Sequence, residues 1–194
     1  MLQTELETRA TIAEALKRIH LFSAEHLELI INSTKTRVLK KNETLLAAGQ
    51  VCDFTAIVTF GSLRLFRLAD EKDVTLNFFT EMDFAADHES FIRQKPAANR
   101  IEAMEDSVVA LLTIQQLHQL IHHNPSFFAL GRVMENWTKS TELTTHLNTP
   151  QLRYEKLMQL HPDWILRFSQ IHLASYLGMA PETFSRMKRK SLFS

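Results

Sequence analysis

The sequence predicts an α+β fold, an antiparallel β-roll followed by helices that end in a helix-turn-helix. Three observations carry this. Short β-rich runs, several of them set apart by Gly49, Gly61 and the polar ADEKD stretch, fill the chain from Thr36 to about Thr113. The hydrophobic period is helical on either side of them. The string SQIHLASYLGMAPETFSRMKRK, Ser169 to Lys190, reads as two short helices about a glycine turn, the second of them basic.

In chain order, the apolar spacing over Glu5 to Ile19 and Ala24 to Ile31 predicts two helices, the second capped by Ser23. The runs TRVLK, ETLLA, FTAIVTF, SLRLFRL, DVTLNFF, RIEAM and SVVALLT predict strands. In Ser62 to Leu68, Leu63, Leu65 and Phe66 or Leu68 are set against Arg64 and Arg67, which predicts one buried and one wet face, with an irregularity near Phe66. A helix is expected between Phe84 and Arg93, and another over Ile114 to His123. From Pro125 a long helix is expected to about Asn148. Leu130, Met134, Trp137, Thr141 and Thr144 fall along it at steps of four, three, four and three, the rhythm of a coiled-coil seam, so they are the candidate dimer positions. An amphipathic helix laid on the roll would read the same way. Gln151 to Leu160 is helical up to His161-Pro162.

In the terminal pair, Ile171, Ala174 and Leu177 are the expected apolar face of the first helix, Gly178 its left-handed stop, and Pro181 the first residue of the second. Phe184 and Met187 are expected to face the first helix. That leaves Glu182, Thr183, Ser185, Arg186, Lys188, Arg189 and Lys190 pointing elsewhere. Only four residues follow Lys190, little room for a β-wing.

Hydrophobic residues make up 45% of the 194, enough for a packed core in one large domain or two small ones. Net charge is zero but unevenly spread: residues 150 to 194 carry seven Lys+Arg against three Asp+Glu. A basic end on an acidic body fits a polyanion. The single cysteine, Cys52, excludes an intrachain disulfide and any four-cysteine zinc or iron–sulfur site within one chain. The N-terminal MLQTELETRATIAEALKRI lacks an apolar signal core, and no apolar run is long enough to span a membrane, so a cytoplasmic protein is expected. His118 and His122 stand one helical turn apart with His123 adjacent, but without a third ligand they read as a surface helix, and no metal is expected. Cys52 could serve a haem but reads more simply as a small hydrophobe. The chain has no His-x-His pair and no acid/base constellation, so no catalytic residues and no enzyme are expected.

On the segments GQVCDFTAIVTFGSLRLF, FFTEMDFAADHESFIRQKPAANRIEAMEDS and HLASYLGMAPETFSRMKRK, the whole chain resembles the Crp/Fnr transcription regulators, in particular the branch common in Bacteroidetes. The resemblance implies a cyclic-nucleotide-binding-like double-stranded β-helix (jelly roll) sensor with its helical lead over 1–124. A dimerisation helix over 125–149 and a winged-helix-like helix-turn-helix domain over 150–194 would follow. It implies a homodimer on a palindromic operator, with double-stranded DNA, RNA polymerase and an unknown small-molecule effector as partners, and a hinge near Asn148 to Gln151 that the sensor would bias. Glu182 would accept from a cytosine amino group and Arg186 would reach guanine O6 and N7. Gln170, Thr183, Ser185, Lys188, Arg189 and Lys190 would hold phosphates. Where many relatives carry an arginine at the start of the recognition helix, this chain has Pro181.

The sensor departs further from the family. Nucleotide-binding members carry Phe-Gly-Glu and, later, Arg-Ser/Thr-Ala around the cyclic phosphate. Here the two positions read Phe84-Ala85-Ala86 and Ala97-Ala98-Asn99. Without the arginine a phosphate loses its bidentate partner, so tight cyclic AMP binding is not expected and no cofactor is assigned. Arg93, Lys95 and Arg100 could substitute only by turning inward. The competing class is a small-ligand or protein-interaction module whose helix-turn-helix is structural. Such a module has no need of Arg186, Lys188, Arg189 and Lys190 together.

Overall fold

The computed structural model describes residues 4–69, 72–132 and 149–192. The chain divides into two units, Met1–Leu65 with Phe78–Asn136, and Phe66–Asn77 with Trp137–Ser194.

In the first unit, α1 (Glu5–Lys17) begins at a capping box: the Thr4 hydroxyl accepts from Glu7 N–H while the Glu7 carboxylate accepts from Thr4 N–H. The Thr4 N–H and the Thr4 hydroxyl both donate to that carboxylate and hold Glu7 below its usual range. Ser23 caps α2 (Ala24–Asn32) as its sequence position suggested. The strands are β1 (Lys35–Leu39), β2 (Thr44–Leu46), β3 (Phe54–Phe60), β4 (Leu63–Ala69), β5 (Lys72–Phe79), β6 (Phe84–Ala85), β7 (Arg100–Ala103) and β8 (Ser107–Thr113). They form two four-stranded sheets, ordered β1-β8-β3-β6 and β2-β7-β4-β5, the double-sheet arrangement of a jelly-roll-like domain. Every run read as a strand is one. The two-residue β6 is too short to leave a periodic signal.

Strand β3 is buried at every position but the last. The reason is that β8 flanks it in the sheet and α1 packs on it, so FTAIVTF need not alternate. The β3–β8 register shifts between Val58 and Phe60, and the strand then ends at Gly61 with φ +81°. A Cβ on Gly61 would lie 2.3 Å from Ser107 Oγ and 2.7 Å from Asp106 O, so only glycine fits.

Strand β4 corrects the expected alternation. Arg64 is 3% exposed rather than wet, because its guanidinium bonds Glu102 of neighbouring β7 at 2.7 and 3.2 Å. Of the two residues that could take the far inward position, Phe66 is buried and Leu68 is 57% exposed.

After β8, Thr113 caps α4 (Ile114–His123) with a second capping box, here through Gln116. The expected long helix opens differently. Pro125–Arg132 is a 3₁₀ helix, and Leu130, like Phe127, is buried against its own chain. Phe127 packs on Phe22 and His26, with ring centroids at 6.3 and 4.9 Å, which holds this segment on the helical lead. Met134, Trp137, Thr141 and Thr144 lie outside the described residues.

The second unit comprises α5 (Pro150–Leu160), α6 (Trp164–Arg167), α7 (Gln170–Tyr176) and α8 (Pro181–Leu192), with residues 66–77. Thr149 caps α5 and Pro150 sits in its first turn, where a missing N–H is harmless. The one-turn α6 was not legible in the sequence. It is held by Trp164, whose ring stacks on His161 at 3.9 Å and meets Phe168 and Tyr176 edge-on at 5.7 and 5.6 Å. Thr75 N–H donates to Ser175 Oγ on α7 at 2.9 Å, and that hydroxyl donates to Asp73 O at 3.1 Å.

Candidate nucleic-acid interface and sensor segment

The terminal helix pair is built by its turn. Ser169 caps α7, accepting from His172 N–H. At the other end Met179 N–H donates to Ala174 O and Gly178 N–H to Ser175 O, both at 3.0 Å, the two bonds of a Schellman motif. Gly178 supplies its left-handed residue at φ +59°. Pro181 then starts α8.

The buried seam is Leu173, Ala174, Tyr176 and Leu177 of α7 against Phe184 of α8, which is fully buried and meets Tyr154 of α5 edge-on at 5.5 Å. This corrects the expected face of α7. Ile171 is 66% exposed: it stands in the first turn, and the seam runs along 173, 174, 176 and 177 instead. On α8, Phe184 is buried as expected, while Met187 is half-buried.

Glu182, Arg186, Arg189 and Lys190 are exposed, Thr183 and Ser185 half-buried, and Gln170 is exposed at the start of α7. At 3.6 residues per turn, 182, 186 and 189 share the side of the helix opposite Phe184. Lys188 follows Phe184 by one turn and is half-buried, so it stands on the seam side.

The sensor segment has a different character. A turn in which Thr80 N–H and Oγ donate to Asp83 Oδ2 at 2.8 and 3.0 Å leads into β6. Phe84 is half-buried and Ala85 and Ala86 are buried; Ala97 is buried, Ala98 exposed and Asn99 half-buried. Asp87, which sequence reasoning passed over, is buried and caps α3 (His88–Arg93). Its Oδ1 accepts from Ser90 N–H at 2.9 Å and its Oδ2 from Asn99 Nδ2 at 2.7 Å. Ser90 Oγ accepts from Cys52 N–H at 2.9 Å and donates to Lys95 O. The one signal for this network was the Asp-x-x-Ser spacing of an N-cap.

Arg93, Lys95 and Arg100 are all exposed, Arg93 beside Glu89 at 3.4 Å. Cys52 is buried, its thiol donating to Phe54 O at 3.3 Å. Burial pushes that thiol up from 9.0 to about 11. His118, His122 and His123 are exposed on α4, and among the described residues no group of three or more His, Cys, Asp or Glu side chains could hold a metal. No described helix is long and apolar enough to cross a membrane.

Residues 36–124 match the cyclic nucleotide-binding domain family. No curated protein matches the chain in sequence. Among solved structures, the chain is similar to CLP, the c-di-GMP responsive global regulator of Xanthomonas campestris, at TM-score 0.68 and 15% identity over 88% of this chain and 92% of that one. It is similar to FixK2 from Bradyrhizobium japonicum at TM-score 0.67 and 17% identity over 81% and 83%. It is also similar to the Thermus thermophilus catabolite activator protein at TM-score 0.58 and 17% identity over 89% and 84%. At these identities the likeness is one of fold. The chain therefore carries a cyclic nucleotide-binding domain over residues 36–124, within a fold that it shares with these proteins.

Proposed function

We propose that the chain is a homodimeric, sequence-specific DNA-binding transcription regulator of the Crp/Fnr type, cytoplasmic, whose sensor does not hold cyclic AMP tightly. The observation that carries the reading is the α7–α8 pair. An apolar seam and a Schellman turn fix α8, while its opposite side presents Glu182, Arg186 and Arg189 to solvent. The likeness to a catabolite activator protein and a global regulator supports it.

In this reading Glu182 and Arg186 read base edges, and each good contact discriminates by about 1 to 3 kcal/mol. Gln170, Thr183, Ser185, Arg189 and Lys190 hold phosphates and make binding salt-dependent. Lys188, on the seam side, contributes least. Two recognition helices about 34 Å apart would meet successive turns of a palindrome.

Against cyclic AMP stands the chemistry of residues 84–99. A cyclic phosphate needs converging donors. Here the buried ionisable group is a carboxylate, Asp87, whose oxygens already accept from Ser90 and Asn99, and the nearby cations face solvent.

Selection of random duplex DNA at two salt concentrations tests the first part, with Arg186→Ala as control. A palindrome with half-sites one helical turn apart, its preference relaxed at one position per half-site in the variant, is the expected result. No binding at low salt would favour an interaction module instead. Calorimetry with cyclic AMP tests the second part, and micromolar affinity would sink it.

A further inference from the structure

A concavity lies on the outer face of the roll, between α1, α2 and β1, with a volume of about 540 Å³, within the range of small-molecule sites. Its floor is apolar: Ile12, Ile31 and Val108 are buried, and Val38, on the outer side of β1, is left 46% exposed. Its mouth carries opposite charges. Glu5 and Arg9 stand one turn apart on α1, about 6 Å along the helix.

Arg9 is fixed from behind, one terminal nitrogen donating to Asn32 Oδ1 at 3.0 Å and the other to Glu28. A guanidinium has five N–H donors, so most of Arg9's remain available. Because Asn32 Oδ1 accepts from Arg9, its amide nitrogen remains as a further donor. The Glu5 carboxylate makes no hydrogen bond or ion pair among the described residues.

We infer that this concavity binds an aliphatic α-amino acid as its zwitterion. The carboxylate bonds Arg9 and the Asn32 amide, the ammonium pairs with Glu5, and the side chain covers Val38 above Ile12 and Ile31. Glu28 already offsets the charge of Arg9, so a purely anionic ligand would meet two carboxylates, Glu5 and Glu28; a ligand that carries an ammonium beside its carboxylate pairs with Glu5 while its carboxylate uses the guanidinium's remaining donors. The inference is independent of DNA binding, so its test omits DNA.

The experiment is calorimetric titration of the full chain with L-leucine, and with 4-methylpentanoate, which keeps the carboxylate and isobutyl group but lacks the ammonium. L-Leucine is expected to bind, and 4-methylpentanoate about tenfold or more weaker. Glu5→Gln should weaken leucine by about the same factor and leave 4-methylpentanoate unchanged or improved. Val38→Phe, at an exposed position, should fill the concavity and abolish binding with its melting temperature retained. No binding of leucine at millimolar concentration overturns the inference, as does leucine binding that ignores Val38→Phe. Equal loss of both ligands in Glu5→Gln overturns the zwitterion. If Val38→Phe instead changes the sedimentation of the protein, the face is an interface between copies and the amino-acid site is wrong.

Discussion

Residues 84–99 of the roll and the helices α7 and α8 hold similar polar side chains and direct them oppositely. Asp87, Ser90 and Asn99 turn toward one another and toward the Cys52 backbone, so their hydrogen bonds are closed within the chain. Glu182, Arg186 and Arg189 turn away from an apolar seam and meet water. Chemistry that stabilises a fold and chemistry that recognises a partner draw on the same residue types. What separates them is whether the donors and acceptors are already matched.

The contrast is broken most severely at the seam. Phe184→Ala removes a fully buried ring and should cost about 3 to 5 kcal/mol. Denaturant unfolding should then resolve an early transition of the helical unit, with the roll unfolding as before; a single transition shifted for the whole chain would mean the two units are not separable.

The burial of the Cys52 thiol in the roll predicts a pH effect. The folded state favours the protonated Cys52 thiol, so its contribution is full below pH 9.0 and is lost as pH rises through about 11. The loss is about 2 to 3 kcal/mol. Comparing stability from pH 8 to 11 in wild type and Cys52→Ala isolates it, since the variant should lack that part of the slope.

Asp87→Ala sharpens the comparison. Ser90 N–H and Asn99 Nδ2 lose their acceptor, which should cost about 1 to 3 kcal/mol in chemical denaturation. Cyclic AMP should still fail to bind, because removing an acceptor supplies no donor. Smallest is Gly178→Ala, which forces a side chain to φ +59° and should cost about 1 to 2 kcal/mol, read as a shift in the helical transition alone.

Much of this architecture was legible because its signals are local. Ser23 stands where a helix cap must, and β3, β4 and β5 are seven, seven and eight residues long, enough to register as β-rich runs. What escaped was set at a distance. Arg64 looked wet because its own strand alternates, but its partner Glu102 comes from 38 residues away. Ile171 fitted the helical period equally well, and only the tertiary position of the seam decided that it stays exposed. The Asp87–Asn99 bond closes a 12-residue loop, and the Ser90–Cys52 bond spans 38 residues; neither distance leaves a mark on composition or period. The exposed side of α8 could be read because one helix carries Glu182, Arg186 and Arg189 together.

Ser175 has a further use. The Thr75 amide donates to its hydroxyl from strand β5, which stands at the end of its sheet, where such hydrogens ordinarily exchange with solvent within moments. Here it reports on α7: slow deuterium uptake at Thr75 marks the helix as seated against residues 72–77, and fast uptake marks its departure. The chain thus contains an isotopic gauge of its own helix pair, one that needs no attached label.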